Sequence, residues 1–154
     1  MTQQTPLAQE PGGMSPVLEL LEQARDVESV DMSRARSLVQ QARVLARSTQ
    51  DAPGEAEALY RLAELSYASS LSNEAFAVAL ESRDLAASCG AVKTQVAASN
   101  LIAAVQYHSG NFSEALASAY SALELYRTTG ERVSEGLLLN SIAVIQHSLR
   151  DTDR

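Results

Sequence analysis

Tryptophan is absent from this sequence, cysteine occurs once, at Cys89, and histidine twice, at His108 and His147. A single thiol excludes an internal disulfide and a cysteine-built zinc cage, and leaves Cys89 as a small buried side chain. No third ligand cluster stands near the two histidines in the sequence, so no metal site is expected and both are read as polar surface groups. There is no glycine-rich phosphate loop, no nucleophile elbow and no paired-histidine helix motif. No catalytic residue, no cofactor-binding residue and no cofactor are therefore expected, and the chain is read as a non-enzyme. Long apolar runs are missing as well: nowhere do about 18 apolar residues follow one another. The opening MTQQTPLAQEPGGMSP carries neither a basic patch nor an apolar run. Neither a membrane span nor a secretory signal is expected, and the cytoplasm is the default location. Basic residues are the scarcer charge, 12 against 19 acidic ones for a net charge of -7, which argues against binding nucleic acid by phosphate neutralisation.

One segment runs against that balance. Between Met32 and Gln50 the only charged residues are Arg34, Arg36, Arg43 and Arg47. Such a run is read either as a solvated outer face or as a docking patch for an acidic partner.

With 154 residues, 45% of them hydrophobic, the chain suffices for one domain with a sizeable core. Pro6, Pro11, Gly12 and Gly13 among polar neighbours mark residues 1–15 as a disordered leader. From Ser15 onward alanine, leucine, glutamate, glutamine and arginine dominate, with apolar residues three and four apart and no alternating run long enough for a sheet. The expected class is all-α.

A fixed spacing of 40 residues organises this helical chain. Leu62-Ala63 returns as Ile102-Ala103 and Ile142-Ala143, and Glu74-Ala75 as Glu114-Ala115, with Arg34-Ala35 one period earlier. Leu45, Leu85 and Leu125 align, as do Gly90 and Gly130. A period in this range is the signature of a stacked array. Each unit divides into two helices: A helices near 16–29, 54–69, 92–109 and 132–149, and B helices near 32–48, 73–88 and 112–128. Asp31 is positioned to cap the helix from Met32, Gly110 to end one helix, and Asn111 with Glu114 to start the next; Gly90 and Gly130 close B helices. Repeats thus fall at about 16–50, 54–90 and 92–130, with a half repeat at 132–154. Small residues at 63, 75, 103, 115 and 143 let paired helices approach, while large ones beside them fill the space between units.

These residues resemble the tetratricopeptide repeat family, whose unit is a helix–turn–helix with small residues where its helices cross. The copy at 98–125 carries the pattern best, with Ile102, Ala103, Gly110, Asn111, Phe112, Ala115, Ala122 and Leu125. The copy at 58–85 keeps Leu59, Leu62, Ala63, Ala75, Ala79 and Leu85, with Ser70-Leu71-Ser72 at its turn. No tryptophan stands at the first large position, no proline ends helix B, and the period exceeds the usual spacing of about 34; the length is similar to the longer variant of bacterial signalling and regulatory proteins. The resemblance implies a right-handed superhelical stack of about seven helices, serving as a scaffold for protein–protein interaction.

Two period-40 rows then become the candidate binding surface. One reads Tyr60, Asn100, Asn140 and the other Tyr67, Tyr107, His147; the resemblance places both in the inner groove. Asparagine amides can pair with the backbone of an extended peptide whatever its side chains, and tyrosines add contact area with a hydroxyl. Arg61 and Glu64 beside them can set a charge preference. The same side chains can instead simply bridge neighbouring helices. The rows lack lysine, so a basic clamp for a peptide carboxylate is not expected. The function expected is non-catalytic binding of a partner peptide or helix, with no nucleic acid and no membrane as partner. The second expectation is an input or oligomerisation segment of a larger signalling protein, by resemblance a diguanylate cyclase or a transcription regulator.

The end of the chain carries a last expectation. DTDR at 151–154 stands three periods after DMSR at 31–34, so the chain is expected to be a fragment of a longer protein, with Asp151 in the capping position of a further B helix. The helix before it is apolar around much of its circumference. Leu138, Ile142, Ile145 and Leu149 are the expected contact residues for a further domain or for a homodimer through this helix.

Overall fold

The computed structural model describes residues 14–129 and 135–152. Most of the expected leader, at 1–13, the break containing Gly130, and Asp153 and Arg154 lie outside the described residues. The chain is all-helical, with seven helices among the described residues: α1 (Pro16–Val27), α2 (Met32–Ser48), α3 (Ala52–Ala68), α4 (Ser72–Cys89), α5 (Val92–His108), α6 (Phe112–Thr129) and α7 (Glu135–Thr152). None of them is long and apolar enough to cross a membrane.

Helices α2 to α6 start at 32, 52, 72, 92 and 112, so the 40-residue spacing is two equal 20-residue helix-plus-turn units. The turns explain this regularity. At each one the backbone N–H of the residue after the turn donates to a carbonyl five residues back: Asp51 to Ala46, Leu71 to Ser66, Ala91 to Ala86 and Asn111 to Gln106, at 2.8 to 2.9 Å. That bond closes a helix when the intervening residue is left-handed, and Gln50, Ser70, Gly90 and Gly110 all have positive φ, between 57° and 78°. Asp31 caps α2 by accepting from the Arg34 N–H, and Asp51 caps α3 in the same way through Gly54. Helix α3 therefore begins before the expected residue 54, because Pro53 sits in its first turn, where no N–H partner is needed. Asn111 precedes α6 without a side-chain hydrogen bond to it.

Small side chains set the helix spacing. Ala35, Ala75 and Ala115, one per B helix, are fully enclosed, and Ala63 and Ala103 face them from the A helices. Ser82 occupies the site of Ala42 and Ala122 and satisfies its hydroxyl by donating to the Ala56 carbonyl. The core divides into three successive clusters, centred on α1–α2–α3, on α3–α4–α5 and on α5–α6–α7. Each cluster is closed by the first helix of the next unit, as stacking requires.

The backbones of the odd-numbered helices approach one another in series, α1 to α3, α3 to α5 and α5 to α7, whereas α2, α4 and α6 come no closer to each other than the reach of long side chains. Two layers result, with the backbones in closer approach in the odd-numbered one.

Two expectations are corrected here. Leu138, Ile142 and Ile145 are not an uncovered face: they are buried against α5 and α6 with Ala115, Ala119, Ala122 and Leu123, and Leu149 is half-buried. Only one side of α7 meets those helices, and the side left open carries Leu137, Leu139, Ala143 and Val144. Asp151 caps no further helix; it lies within α7 and pairs with His147, Nδ1 to carboxylate at 3.3 Å.

The arginine run of α2 resolves into cross-helix pairs. Arg36 reaches Glu74, Arg43 reaches Glu81 at 2.6 Å, and Arg47 reaches Glu55 at 2.6 Å. With three of the four guanidiniums engaged on α3 and α4, this face is a brace between repeats and not a free basic patch.

Candidate functional site

Where α3 meets α5 on the odd-numbered face, residues spaced by the repeat converge on a depression of about 330 Å³. Tyr60, Glu64, Tyr67 and Ala68 come from α3, and Ala97, Asn100, Leu101 and Ala104 from α5. Glu28 closes it from the end of α1. Alanine at 68, 97 and 104 leaves the space open, for a larger side chain there would fill it.

The polar groups of this site are mostly acceptors. The Tyr60 hydroxyl donates to Glu64 at 2.6 Å. Burial, then the Glu64 charge and that hydrogen bond, hold the Tyr60 phenol far above its ordinary pKa, so it stays neutral. Burial alone raises Tyr67. Arg61 lies beneath, its side chain only 11% exposed, between Glu28 at 2.7 Å and Glu64. Burial opposes the guanidinium charge, but the two carboxylates outweigh it and raise its pKa. Arg61 is thus a buried counter-ion that positions both carboxylates and does not line the site. The Asn100 Oδ1 is enclosed and accepts no hydrogen bond from the protein. A buried acceptor without a donor is costly, by about 1–3 kcal/mol.

A second depression, of about 230 Å³, continues the groove one unit on, between α5 and α7. Ala103, Ala104, Tyr107 and His108 line one side, and Asn140, Ser141, Val144 and Ile145 the other. The Tyr107 hydroxyl lies 3.1 Å from the Ser148 hydroxyl, and its ring contacts His108 and Phe112. Asn140 is exposed.

Of the residues expected to line a groove, Tyr60, Glu64, Tyr67 and Asn100 are brought together in the first depression, and Tyr107 and Asn140 in the second. His147 joins neither; it lies further along α7 beside Ala143, Gln146, Arg150 and Asp151. Two members of these rows bridge helices, Tyr107 through its hydroxyl and Tyr67 through its ring against His108 of α5, whereas Tyr60 bonds within α3. Sequence reasoning missed Glu28, Ala68, Ala104 and His108. The repeat itself could have found them, because Glu28, Ala68 and His108 form one period-40 row and Glu64, Ala104 and Val144 another. No group of three histidine, cysteine, aspartate or glutamate side chains able to hold a metal occurs among the described residues.

Comparison with models of known protein families finds none that matches the chain, and comparison with curated proteins finds no significant match.

Proposed function

We propose that the protein is a non-catalytic interaction scaffold of the tetratricopeptide kind that holds an extended partner peptide along its odd-numbered face. The observation that carries this reading is the pair of neighbouring depressions, one between α1, α3 and α5 and one between α5 and α7, that share Ala104 and are lined by tyrosine and asparagine, with the Asn100 Oδ1 left without a donor. Backbone N–H groups of an extended segment supply such donors at regular spacing, and neutral tyrosines give contact area at small entropic loss. The right-handed superhelical winding and the cytoplasmic location belong to the same proposal.

Panning a random peptide library on the protein tests it. Enriched peptides are expected to lose at least about fivefold in affinity on Tyr67→Ala or Asn140→Ala, the scale of a truncated contact worth about 1 kcal/mol, with the melting temperature nearly unchanged. Peptides that bind the protein and both variants alike would overturn the reading.

A second reading is an oligomerisation segment of a larger signalling protein. It is favoured by Ala143, which is exposed although its repeat equivalents Ala63 and Ala103 are buried.

A further inference from the structure

The two halves of the groove are chemically unlike, although the repeat builds them from equivalent positions. Glu28 and Glu64 face the depression between α1, α3 and α5, whereas the residues one period further on are Ala68 and Ala104, and two periods on His108 and Val144. The first depression therefore holds two carboxylates, and the second holds none. Arg61 lies between the carboxylates and neutralises one unit of their charge, so one negative charge is left over at the groove. Glu57, on the same helix, adds no positive balance; its carboxylate accepts from the Thr94 hydroxyl at 2.8 Å. The Tyr60 proton is committed to Glu64, so the acceptors that face the depression are chiefly the Glu28 and Glu64 carboxylates. The rings of Tyr60 and Tyr67 and the side chain of Leu101 form apolar walls that suit a methylene stem leading to a charged head.

We infer that the depression between α1, α3 and α5 receives a lysine or arginine side chain of the bound peptide, and that an apolar side chain about three residues away in the same peptide occupies the depression between α5 and α7. The inference rests on the peptide-groove reading above and specifies its ligand. The spacing follows from geometry. Packed helices lie about 8–10 Å apart, and an extended chain of the polyproline II kind, with three residues per turn and a rise of about 3.1 Å each, presents side chains three positions apart on one face about 9 Å from each other, so neighbouring depressions are matched by that spacing. Charge complementarity fixes which end is basic, because the α5–α7 depression has no carboxylate to meet a cation and presents Val144, Tyr107 and Ile145 instead.

The test uses peptides enriched from the random library on the full chain, resynthesised with a fluorescent label and measured by anisotropy. Enriched sequences are expected to carry lysine or arginine with an apolar residue about three positions away. Glu28→Gln and Glu64→Gln should each weaken such peptides about three- to fivefold, the range of partly exposed ion pairs. Raising the salt to about 0.15 M, where the Debye length is about 8 Å, should weaken them for the protein and hardly at all for the double variant. Circular dichroism melting checks that the variants are folded; if Glu64→Gln is not, Glu28→Gln at the end of α1 decides alone. Enriched peptides that are neutral or acidic yet sensitive to Tyr67→Ala would overturn this inference and leave the groove reading standing. Basic peptides indifferent to Glu28→Gln would overturn it equally. Peptides indifferent to every groove variant would overturn both.

Discussion

Among the described residues four hold turns of this stack in the left-handed conformation, and only two are suited to the work. Gly90 and Gly110 take φ of 73° and 78° freely, and a Cβ added to either meets no atom within 4 Å, so replacing them brings a purely conformational penalty. Gln50 and Ser70 take φ of 57° and 60° with a side chain attached, against a preference of roughly 1–2 kcal/mol. Glycine would remove that strain but would also add about 0.5–1 kcal/mol of chain entropy to the unfolded state. The balance still favours glycine: Gln50→Gly and Ser70→Gly should each stabilise the fold by a few tenths to about 1 kcal/mol, a rise of about 1–3 °C in melting temperature for a chain of this length. Gly90→Ala and Gly110→Ala should lower it by a similar or larger amount. Thermal melts of the four variants decide, and an unchanged melting temperature in both alanine variants would show that these turns are not held as described.

At the scale of the helix, what matters is which alanines face a neighbour. Ala75 and Ala115 are fully buried where α4 and α6 cross their partner helices, while Ala77 and Ala117 on the same helices face solvent. Leucine at 75 or 115 has to force the helices apart, at about 1–3 kcal/mol, whereas leucine at 77 or 117 should change stability by no more than about 0.5 kcal/mol. Urea titration of the four variants measures this, and equal effects at both pairs would contradict the close crossings. The buried members of these pairs were legible in the sequence because the repeat marks them three times over; so were the helix type, the count and most boundaries. What escaped had physical causes. Helix α3 starts two residues before the expected 54 because a first turn accepts Pro53, and Gln50 and Ser70 hid left-handed turns that glycine announced at 90 and 110. The side chains of α2 showed their charge but not their partners, since Arg36–Glu74 and Arg43–Glu81 pair across 38 residues of sequence. Glu28 escaped the site because it lies past the end of α1 and shares no side-chain type with Ala68 and His108, its partners in the period-40 row. Composition told that α7 is apolar most of the way round, yet which side is covered depends on α5 and α6, so Leu138, Ile142 and Ile145 were sorted to the wrong face.

Across the whole molecule, stability passes from each unit to its neighbour, and the last described helix has a neighbour on one side only. In the two preceding units the position of Ala143 is covered: Ala63 by α4 and Ala103 by α6, each at a crossing of small residues. On α7 it remains open, at the floor of a depression of about 640 Å³ whose walls are Tyr120, Leu123, Glu124 and Arg127 from α6, with Leu139, Ile142 and Gln146 from α7. The surface has the shape and the small central residue that elsewhere in the chain accept another helix. It also carries an acid and a base side by side, Glu124 and Arg127, the latter 3.2 Å from Glu135 of its own chain, and a two-fold axis through the face can set Arg127 of each copy against Glu124 of the other. A symmetric dimer through this face is the expected outcome of the oligomerisation reading, and sedimentation at micromolar concentration is its measure. Leu139→Lys and Ala143→Asp change exposed residues and should return a folded monomer, whereas Ile142→Asp buries a charge against α6 and should unfold the C-terminal unit in monomer and dimer alike. A protein that sediments as a monomer throughout the micromolar range would remove this reading and leave the proposed peptide groove standing.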